Sequence, residues 1–429
     1  MLTTSTHENA KLLTMPQLLS INNYYYLRGG SEAVYFEHNR LFEDAGWEVV
    51  PFSMQNALNQ PSKWSSHFAR ETNGGEPRSP IAKLSRAGTA IYSTDSARRI
   101  RALIALTRPD VAHAHNIYHH LSPSVLVELR RQGIPVVLTL HDLKLVCPAY
   151  KMYTEGGVCE QCRGGALRNV VRNRCIKHSR AMSALVWLES TVHKALDLYG
   201  STVTRFVVPS RFFLAKFAEW GLDTSRFVHI PNSVNLETMT VEAVEGDPGD
   251  PFVYLGRLVP EKGVATLIRA AAQARVRLRI IGTGPEEAAL RQLAAELGGE
   301  VEFTGYLAGP ALLAAVSSAR AVVVPSEWYE NAPISVMEAS ALGRVVIGAD
   351  IGGIPELIRS GETGFVFTSG SVDSLVDVLT RVRGFAASSL RQIGAAGREW
   401  MRAEFSPEAY RNRMMDLYGQ IGTHAGGAH

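Results

Sequence analysis

Residues 322–343 read VVVPSEWYENAPISVMEASALG, and this stretch contains a strand, a loop and a helix in succession. The apolar run that ends at Pro325 is typical of a parallel strand buried on both faces. A polar loop follows, and Pro333 indicates a helix start, because proline suits the first helical position. The unit predicts a parallel α/β sheet with its functional residues in the loop after the strand.

Short apolar runs of the same kind occur along the whole chain and alternate with helical patterns. This alternation predicts an open, doubly wound α/β sheet. The runs are PQLLSI, VVPFSM, VAHAH, PVVLTLH, RFVVPS, PFVYLGR, LRIIG, VEFTG, AVVVPS and RVVIGA, starting near residues 16, 49, 111, 135, 205, 251, 278, 301, 321 and 344.

The rhythm breaks at residues 236–251, LETMTVEAVEGDPGDP, an acidic stretch with glycine and proline that indicates an interdomain linker. The chain has 429 residues, more than one hydrophobic core usually supports. We therefore predict an N-terminal Rossmann-like domain over 1–240, a second one over 241–400, and a C-terminal helix and tail over 401–429.

The composition is that of an ordinary globular chain. Hydrophobic residues make up 46%, charged residues 20%, and the formal net charge is +3. That charge is too small for nucleic-acid binding through bulk electrostatics, so we predict no nucleic-acid partner. We find neither a signal peptide nor the roughly 20 apolar residues of a membrane span. This predicts a cytoplasmic protein and leaves peripheral membrane contact open.

Two glutamates in the opening stretch are candidates for chemistry. Glu330 precedes the helix and Glu338 lies about two turns along it. The N–H groups of a helix start favour an anion. A carboxylate can also accept two hydrogen bonds from a ribose diol, each worth ~1.5–3 kcal/mol. Taken singly, each glutamate is equally well explained as a surface charge, although Glu338 has apolar neighbours on both sides.

Two cations flank a second loop between a strand and a helix. Arg257 and Lys262 lie in VYLGRLVPEKGVATLI, residues 253–268. Arginine offers a planar fork and lysine a point charge. A reaction that expels a nucleoside diphosphate needs such cations, because negative charge builds on the leaving group. The alternative is a pair of surface cations beside a turn.

Glycine pairs follow an early and a late strand, at Gly29–Gly30 and Gly352–Gly353. Glycine lets the backbone approach a ligand closely or adopt positive φ. A tight turn explains each pair about as well. The first pair is not part of G-x-G-x-x-G, which disfavours a dinucleotide-binding dehydrogenase.

Taken in order, these segments resemble one family. They are GGSE at 29–32, TLHD at 139–142, VPS at 208–210, IPNSVN at 230–235, GRLVPEKG at 256–263, the stretch with the paired glutamates, and GGIPELI at 352–358. Over about residues 17–420 the ordered set is similar to the retaining glycosyltransferases of family 4. Their GT-B fold has two Rossmann-like doubly wound domains facing across a cleft.

The resemblance implies a role for each matching residue. It assigns Glu330 to the transferred sugar and Glu338 to the nucleotide ribose. Arg257 and Lys262 would bind the diphosphate. His141, at the end of a predicted strand, would lie near the transferred sugar, so we assign His141 and Glu330 as catalytic.

The resemblance also implies the reaction. A UDP- or GDP-sugar would donate its sugar, with retention, to a glycan or lipid-linked acceptor in polysaccharide or glycoconjugate biosynthesis. Gly30 would contact the phosphates and acceptor, Gly353 would lie at the mouth of the donor cleft, and the last helix would cross back to the N-terminal domain. No catalytic metal is expected. The alternatives are a nucleotide-sugar isomerase or epimerase on the same scaffold and a non-catalytic sensor.

All four cysteines fall in one segment with the spacing C-x11-C-x2-C-x12-C: Cys147, Cys159, Cys162 and Cys175. Chance would produce such clustering with odds on the order of 10⁻³. In a cytoplasmic protein the cluster indicates a metal clip rather than disulfides. Four thiolates suit structural zinc, with an iron–sulfur cluster as an alternative. Four ordinary reduced cysteines are the plainer explanation.

The same segment, which we call the cysteine insertion (residues 147–180), is basic. It follows the strand of His141, so Arg172 and Arg174 are predicted on the acceptor side, where they would meet an anionic acceptor such as a lipid diphosphate or acidic glycan. A solvated surface is the usual explanation of such charges. We also place His115 on the acceptor side and His113 in the core, and a zinc site on this H-x-H lacks further ligands.

Overall fold

The structure is a computed structural model that describes residues 15–71, 88–237, 239 and 251–425. Most of the predicted linker therefore lies outside the described residues. No helix within the described part of the chain is long and apolar enough to span a membrane.

Strands and helices alternate in the first half of the chain, as predicted from the apolar runs. The elements are β1 (Gln17–Ile21), α1 (Gly30–Asp44), β2 (Glu48–Phe52), α2 (Thr94–Thr107), β3 (Val111–Ala114), α3 (Ser124–Arg131), β4 (Val136–Thr139), β5 (Tyr153–Thr154), β6 (Gly157–Val158), α4 (Asn169–Arg172), α5 (Arg180–Ala195), β7 (Arg205–Val208), α6 (Arg211–Glu219) and β8 (Phe227–His229).

The second half repeats the alternation and ends in three helices. Its elements are β9 (Phe252–Leu255), α7 (Val264–Ala274), β10 (Leu278–Ile281), α8 (Glu287–Leu297), β11 (Val301–Gly305), α9 (Gly309–Ser317), β12 (Ala321–Val324), α10 (Ile334–Ala341), β13 (Val346–Ala349), β14 (Gly364–Phe367), α11 (Val372–Gly384), α12 (Ala387–Glu404) and α13 (Pro407–Ala425). Short 3₁₀ helices lie at Ser65–His67, Arg163–Gly165, Pro260–Lys262 and Ile354–Leu357.

Two six-stranded sheets organise these elements, in the orders β2-β1-β3-β4-β7-β8 and β11-β10-β9-β12-β13-β14. Neighbouring strands are parallel wherever the register is defined, for example β1 with β2 and β9 with β12. Both orders are those of doubly wound sheets, so the predicted Rossmann-like α/β class is confirmed. The order reverses between β1 and β3 in one sheet and between β9 and β12 in the other. Ligands of such sheets bind beside this reversal, at the carboxyl ends of the strands.

The described residues divide into two compact units. One takes in residues from 1–137, 200–204 and 418–429, and the other takes in 138–199 and 205–417. The predicted boundary at residue 240 stays a prediction.

In the first unit, the end of α13 packs on the helix and strands of the N-terminal segment. The Tyr418 ring contacts Phe42 and Trp47, and its hydroxyl is hydrogen bonded to His113 at 2.5 Å and to His38 at 3.2 Å. His113 has no exposed surface, as expected of a core residue.

In the second unit, the neighbouring strands β12 and β13 are buried because their sequences are apolar on both faces. Every residue of β12, AVVV, is buried, and so is every residue of β13. Strands of this kind leave only their carboxyl-end loops to carry polar chemistry. The loops that follow β9 and β12 are called the β9 loop (residues 256–263) and the β12 loop (residues 325–333) below.

Candidate active site

Glu330, in the β12 loop, is buried next to a cation. Lys262 Nζ lies 2.6 Å from Glu330 Oε1, and Ser326 Oγ donates to the same oxygen at 2.7 Å. Burial by itself raises the pKa of Glu330, but the Lys262 ammonium and the hydrogen bonds together lower it below its ordinary value. The structure thus brings together two of the predicted residues as an ionised carboxylate and an ammonium.

Glycine at position 263 allows the β9 loop to lie against the end of β12. Gly263 has φ of +66°, and a Cβ there would stand 1.9 Å from Pro325 O. Only glycine tolerates both the conformation and the approach. A hydrogen bond from Glu327 N to Glu261 O at 2.9 Å also joins the loops, and Thr266 Oγ1, in the first turn of α7, donates to Glu327 Oε1 at 2.6 Å.

The second predicted glycine pair supports the β12 loop from another side. Gly353 N donates to Glu330 O at 2.8 Å. A Cβ at Gly353 would lie 1.9 Å from Asn331 O, and one at Gly352, where φ is +62°, would lie 2.3 Å from Glu330 O. These contacts show that the glycine pair packs closely against the β12 loop. The Gly353 N–H is already hydrogen bonded within the protein. Its contact with a donor stays a prediction.

Glu338 differs from Glu330 in its electrostatic surroundings. It lies on α10. Pro333 is the N-cap of this helix, whereas the sequence predicted it at the first helical position. Burial raises the pKa of Glu338 to about 7. A carboxyl group in this state gains from hydrogen-bond donors that favour its charged form.

Arg257 is exposed in the β9 loop, and Tyr254 holds its backbone. The Tyr254 hydroxyl donates to Arg257 O at 2.8 Å. Burial raises the pKa of Tyr254, the Glu330 charge raises it further, and Arg257 opposes both. The tyrosine therefore lies within electrostatic range of both predicted site residues. Sequence reasoning missed it because a tyrosine inside an apolar strand gives no signal.

The peptide before His141 is tied to the β12 loop. Asn331 Nδ2 donates to Leu140 O at 3.0 Å, and Ser210 Oγ donates to Asn331 Oδ1 at 2.8 Å. His141 follows β4 as predicted, and burial lowers its pKa to about 4, so its imidazole is neutral near pH 7. Asn331 was also missed, although a polar residue between Glu330 and a helix-initiating proline was a usable signal.

Glu356 binds the start of another helix. Its two carboxylate oxygens accept hydrogen bonds from Arg211 N at 2.8 Å and Phe212 N at 2.6 Å, in the first turn of α6. A carboxylate at a helix N-terminus is stabilised by the unsatisfied N–H groups and the helix dipole. This glutamate therefore fixes the segment that follows β7.

All four cysteines are free thiols. Burial, with a smaller contribution from the neighbouring thiols, raises the pKa of Cys162 to about 12 and that of Cys175 to about 11. In the described part of the chain, however, no three cysteine sulfurs lie within 4.8 Å of one another. Their predicted metal binding stays a prediction at this point.

Three histidines, in contrast, do place their ligating atoms this close to one another. Ligating atoms of His38, His113 and His115 lie within 4.8 Å of one another, and all three residues are buried. His113 and His115 stack with their ring centroids 4.6 Å apart. The side chain of His115 has no exposed surface. His115 is therefore a buried member of this cluster, and its place on the acceptor side stays a prediction.

The remaining predicted residues are exposed. Arg172 and Arg174 lie at the surface of the cysteine insertion, and Gly30 is the first residue of α1. Their exposure is compatible with ligand contact and also with the plainer reading of a solvated surface and a helix start.

Comparison with known proteins places this chain and its α/β architecture in one class. The family model described as "Glycosyltransferase Family 4" matches residues 28–238, and the one described as "Glycosyl transferases group 1" matches residues 243–400. The chain belongs to the family 4 glycosyltransferases.

Several curated relatives are similar over part of their length. A GDP-mannose-dependent alpha-(1-6)-phosphatidylinositol monomannoside mannosyltransferase of Mycobacterium tuberculosis is 33% identical over 51% of this chain and 60% of its own. The sulfoquinovosyl transferase SQD2 of Arabidopsis thaliana is 34% identical over 70% of this chain and 55% of its own. The chain thus spans between half and two thirds of the length of these relatives.

Solved structures share the fold over nearly the whole chain. Sucrose-phosphate synthase from Thermosynechococcus elongatus has a TM-score of 0.71 and 23% identity, covering 96% of this chain and 100% of its own. Anabaena HepE in complex with UDP and glucose has a TM-score of 0.66 and 16% identity, covering 94% and 100%. These likenesses confirm the GT-B assignment of the fold.

Proposed function

We propose that this protein transfers a sugar from a nucleoside-diphosphate sugar to an acceptor, with retention of the anomeric configuration. The observation that carries the proposal is the pair of buried Glu330 and partly exposed Lys262, 2.6 Å apart, at the point where the order of the sheet reverses. Such a pair offers a negative group for the sugar and a positive group for its leaving diphosphate. Family membership supports this reading of the pair.

The proposed catalysis is mainly electrostatic. Lys262 and Arg257 stabilise the charge that builds on the leaving diphosphate, as preorganised donors do at a developing anion. Glu330 contacts the sugar and keeps the Lys262 ammonium in place before the donor binds. Glu338 accepts hydrogen bonds from the ribose diol, which then hold it in its charged form.

The neutral imidazole of His141 serves as a hydrogen-bonding group beside the transferred sugar. A histidine with a pKa of about 4 carries no charge at neutral pH. It therefore adds no cation to compete with the developing positive charge of a glycosyl transition state. Asn331, which bonds Leu140 O, fixes the backbone that carries this ring.

We propose a GDP- or UDP-sugar as donor and a glycan or lipid-linked acceptor, met at a membrane surface. The support is the GDP-mannose dependence and phosphatidylinositol acceptor named for the mycobacterial relative, and the UDP named for the Anabaena structure. The exposed arginines of the cysteine insertion would suit an anionic acceptor.

A donor screen followed by a transfer assay tests the proposal. GDP-mannose, UDP-glucose and their free diphosphates are compared by thermal shift, and a ligand at ~100 times its Kd should add about 2.7 kcal/mol of stability. The stabilising donor is then incubated with lipid-linked and glycan acceptors. Glycosylated product with a retained anomer supports the proposal. Turnover of the donor to an isomer without acceptor would support an isomerase or epimerase instead.

A further inference from the structure

The cysteine insertion has little apolar material to hold its conformation. Between residues 151 and 178 the buried side chains are Met152, Cys162 and Val170 alone. The segment contains a two-residue hairpin, a 3₁₀ turn and a single turn of α-helix. A fold of this kind needs a further constraint, since elements this short do not stabilise themselves.

The backbone of the insertion is also strained. Ten non-glycine residues in the described chain have positive φ, and five of them lie between residues 150 and 178. Such conformations persist only where the surroundings over-determine them. These five are Tyr150, Met152, Arg174, Lys177 and His178.

The four thiols lie where that constraint is needed. Cys162 interacts electrostatically with each of the other three, although the four are spread over 29 residues of sequence. The N–H groups of Ala149 and Met152 bond Cys147 sulfur, and the Val170 N–H bonds Cys162 sulfur. Bonds of this kind to a ligating atom orient and support metal ligands.

Hydrogen bonds within the insertion bring the segments that carry the cysteines together. Cys159 N donates to Met152 O at 2.8 Å, in the segment that follows Cys147. Asn169 Nδ2 and Asn173 Nδ2, in the segment before Cys175, donate to Gln161 O at 2.5 Å and to Gln161 Oε1 at 2.9 Å, between Cys159 and Cys162. In a tetrahedral zinc site with Zn–S near 2.3 Å the sulfurs are roughly 3.8 Å apart, so coordination requires the thiols to move closer than they are here.

The insertion makes polar contacts with both loops of the candidate active site. Lys151 Nζ lies 2.5 Å from Oε1 of buried Glu261, the residue before Lys262. Tyr329, the residue before Glu330, donates from its hydroxyl to Glu160 Oε1 at 2.8 Å.

Glu160 stands between two of the cysteines, in C-E-Q-C, and is held from a second side. Lys216 Nζ donates to the same oxygen at 2.8 Å, and its ammonium lies 4.9 Å from the centre of the Tyr329 ring. A carboxylate fixed in this way links the conformation of the cysteine segment to the position of the β12 loop.

We propose that Cys147, Cys159, Cys162 and Cys175 bind one structural zinc ion, and that the zinc-bound insertion positions the β9 and β12 loops through Lys151 and Glu160. The zinc site is independent of the activity, whereas the positioning role rests on the proposed function. Zinc suits the site because four thiolates and no open coordination position are the ligand set of structural zinc.

Metal analysis tests the site without reference to activity. Full-length protein purified without added metal should contain about one zinc per chain. Cys162→Ser should lose it, and Arg168→Ser, an exposed change in the same segment, should retain it. If Cys162→Ser fails to fold, the wild-type protein is titrated with a mercurial in the presence of a zinc-sensitive dye. Zinc release in proportion to thiol modification, complete at four thiols per zinc, is then the expected result.

Three results would overturn the zinc site. They are a zinc content near zero with four reactive thiols in the folded protein, two disulfides in protein denatured without reductant, or iron with visible thiolate-to-iron absorption.

A matched pair of variants tests the positioning role. Glu160→Gln should keep its zinc and its melting temperature but raise the donor KM about tenfold, with a smaller change in kcat. Glu155→Gln, an exposed glutamate of the same insertion, should change neither constant. Equal donor KM values in the two variants would refute positioning and leave the zinc site standing. Absence of any transfer by the wild type would refute the proposed function and leave the metal result unaffected.

Discussion

The β9 and β12 loops and the cysteine insertion belong to the same compact unit, yet different interactions hold them in place. The two loops contact each other backbone to backbone at Gly263, where a Cβ would stand 1.9 Å from Pro325 O, and Gly352 and Gly353 pack just as closely on the β12 loop. The insertion has almost no buried apolar side chains and is held by ion pairs and side-chain hydrogen bonds. The first arrangement is preorganised by packing, while the second depends on polar partners from distant parts of the chain.

This difference predicts how each region responds to change. A packed backbone resists the loss of one charge, since its geometry is set by sterics. A region held by a few polar contacts loosens when one partner is removed, because the other is left buried and unpaired. Mutations in the two regions should therefore separate effects on chemistry from effects on local stability.

The largest effect is expected from the ion pair that anchors the insertion. Lys144 Nζ lies 3.1 Å from Glu189 Oε2 and donates to Pro148 O at 2.9 Å, and both charged side chains are at most 3% exposed. Lys144→Met leaves Glu189 as an uncompensated buried charge, so it should cost about 3–5 kcal/mol of local stability. Hydrogen exchange should show faster exchange over residues 144–195 and unchanged protection in β9–β14.

The double variant Lys144→Met/Glu189→Leu is the matched control. Replacing both partners by apolar residues removes the unpaired charge, and stability should return most of the way to that of the wild type. A double variant as unstable as the single one would show that the pair is not what anchors the insertion. Global loss of protection in Lys144→Met would show that the two regions are not held separately.

Replacing Glu338 should have the second-largest effect. It should raise the free energy of unfolding by about 3 kcal/mol, whereas Lys144→Met lowers local stability. Its pKa is about 7 in the folded protein against an ordinary value of 4.5. Between these values the folded state binds more protons, so stability falls as the pH rises from about 4.5 to 7 and is constant above. Glu338→Gln removes this loss and should be more stable than the wild type by up to about 3 kcal/mol at pH 8, and similar to it at pH 5.

Urea denaturation at the two pH values measures this difference. Glu362→Gln, at an exposed position, should show no pH-dependent gain. Calorimetry should also show that Glu338→Gln binds the nucleoside diphosphate more weakly, because the ribose loses a charged acceptor. A variant that gains stability and keeps its nucleotide affinity would remove Glu338 from the donor site.

In the packed loops, loss of a cation should affect the chemistry. Lys262→Ala and Arg257→Ala should each lower kcat about 10²-fold, the effect of removing one preorganised donor at a developing anion. Arg269→Ala, an exposed arginine on α7, should leave kcat unchanged. Steady-state kinetics at saturating donor measures all three. Unchanged kcat/KM in both site variants would remove the leaving-group assignment.

Much of the fold followed from local patterns. Each of the ten apolar runs forms a strand, because uninterrupted apolar segments of four to five residues bury well on both faces of a parallel sheet. The strands β8 and β14 were missed, since their sequences FVH and GFVF are short and lack clear boundaries. The β5–β6 hairpin, two residues on each side, carries no periodic signal at all.

The site was predictable to the extent that it lies within motifs. Glu330 and Lys262 were found because both follow strand ends, and their pairing is local to the edge of one sheet. Glu160, Lys151 and Asn331 were not singled out, because Tyr329, Glu261 and Leu140, to which they bond, lie more than 100 residues away in sequence. The burial of His115 could not be predicted for the same reason, since its ring neighbours are His38 of α1 and the stacked His113.

The smallest expected effect concerns the exposed arginines of the insertion. Arg172 and Arg174 are solvated, so each contributes only about 0.2–1 kcal/mol to binding a charged group. Arg172→Ala/Arg174→Ala should therefore raise the KM of an anionic acceptor severalfold and leave the donor KM unchanged. The effect should fade as the salt concentration rises, because exposed charges are screened over about 10 Å at 0.1 M.

A neutral acceptor analogue should be used equally well by variant and wild type. The exposed Arg130→Ala on α3 serves as a charge control. Equal losses with anionic and neutral acceptors would indicate that the arginines support the conformation of the insertion. No loss with either acceptor would return them to the ordinary reading of a solvated surface, and the acceptor would then have to be recognised by other residues of the chain.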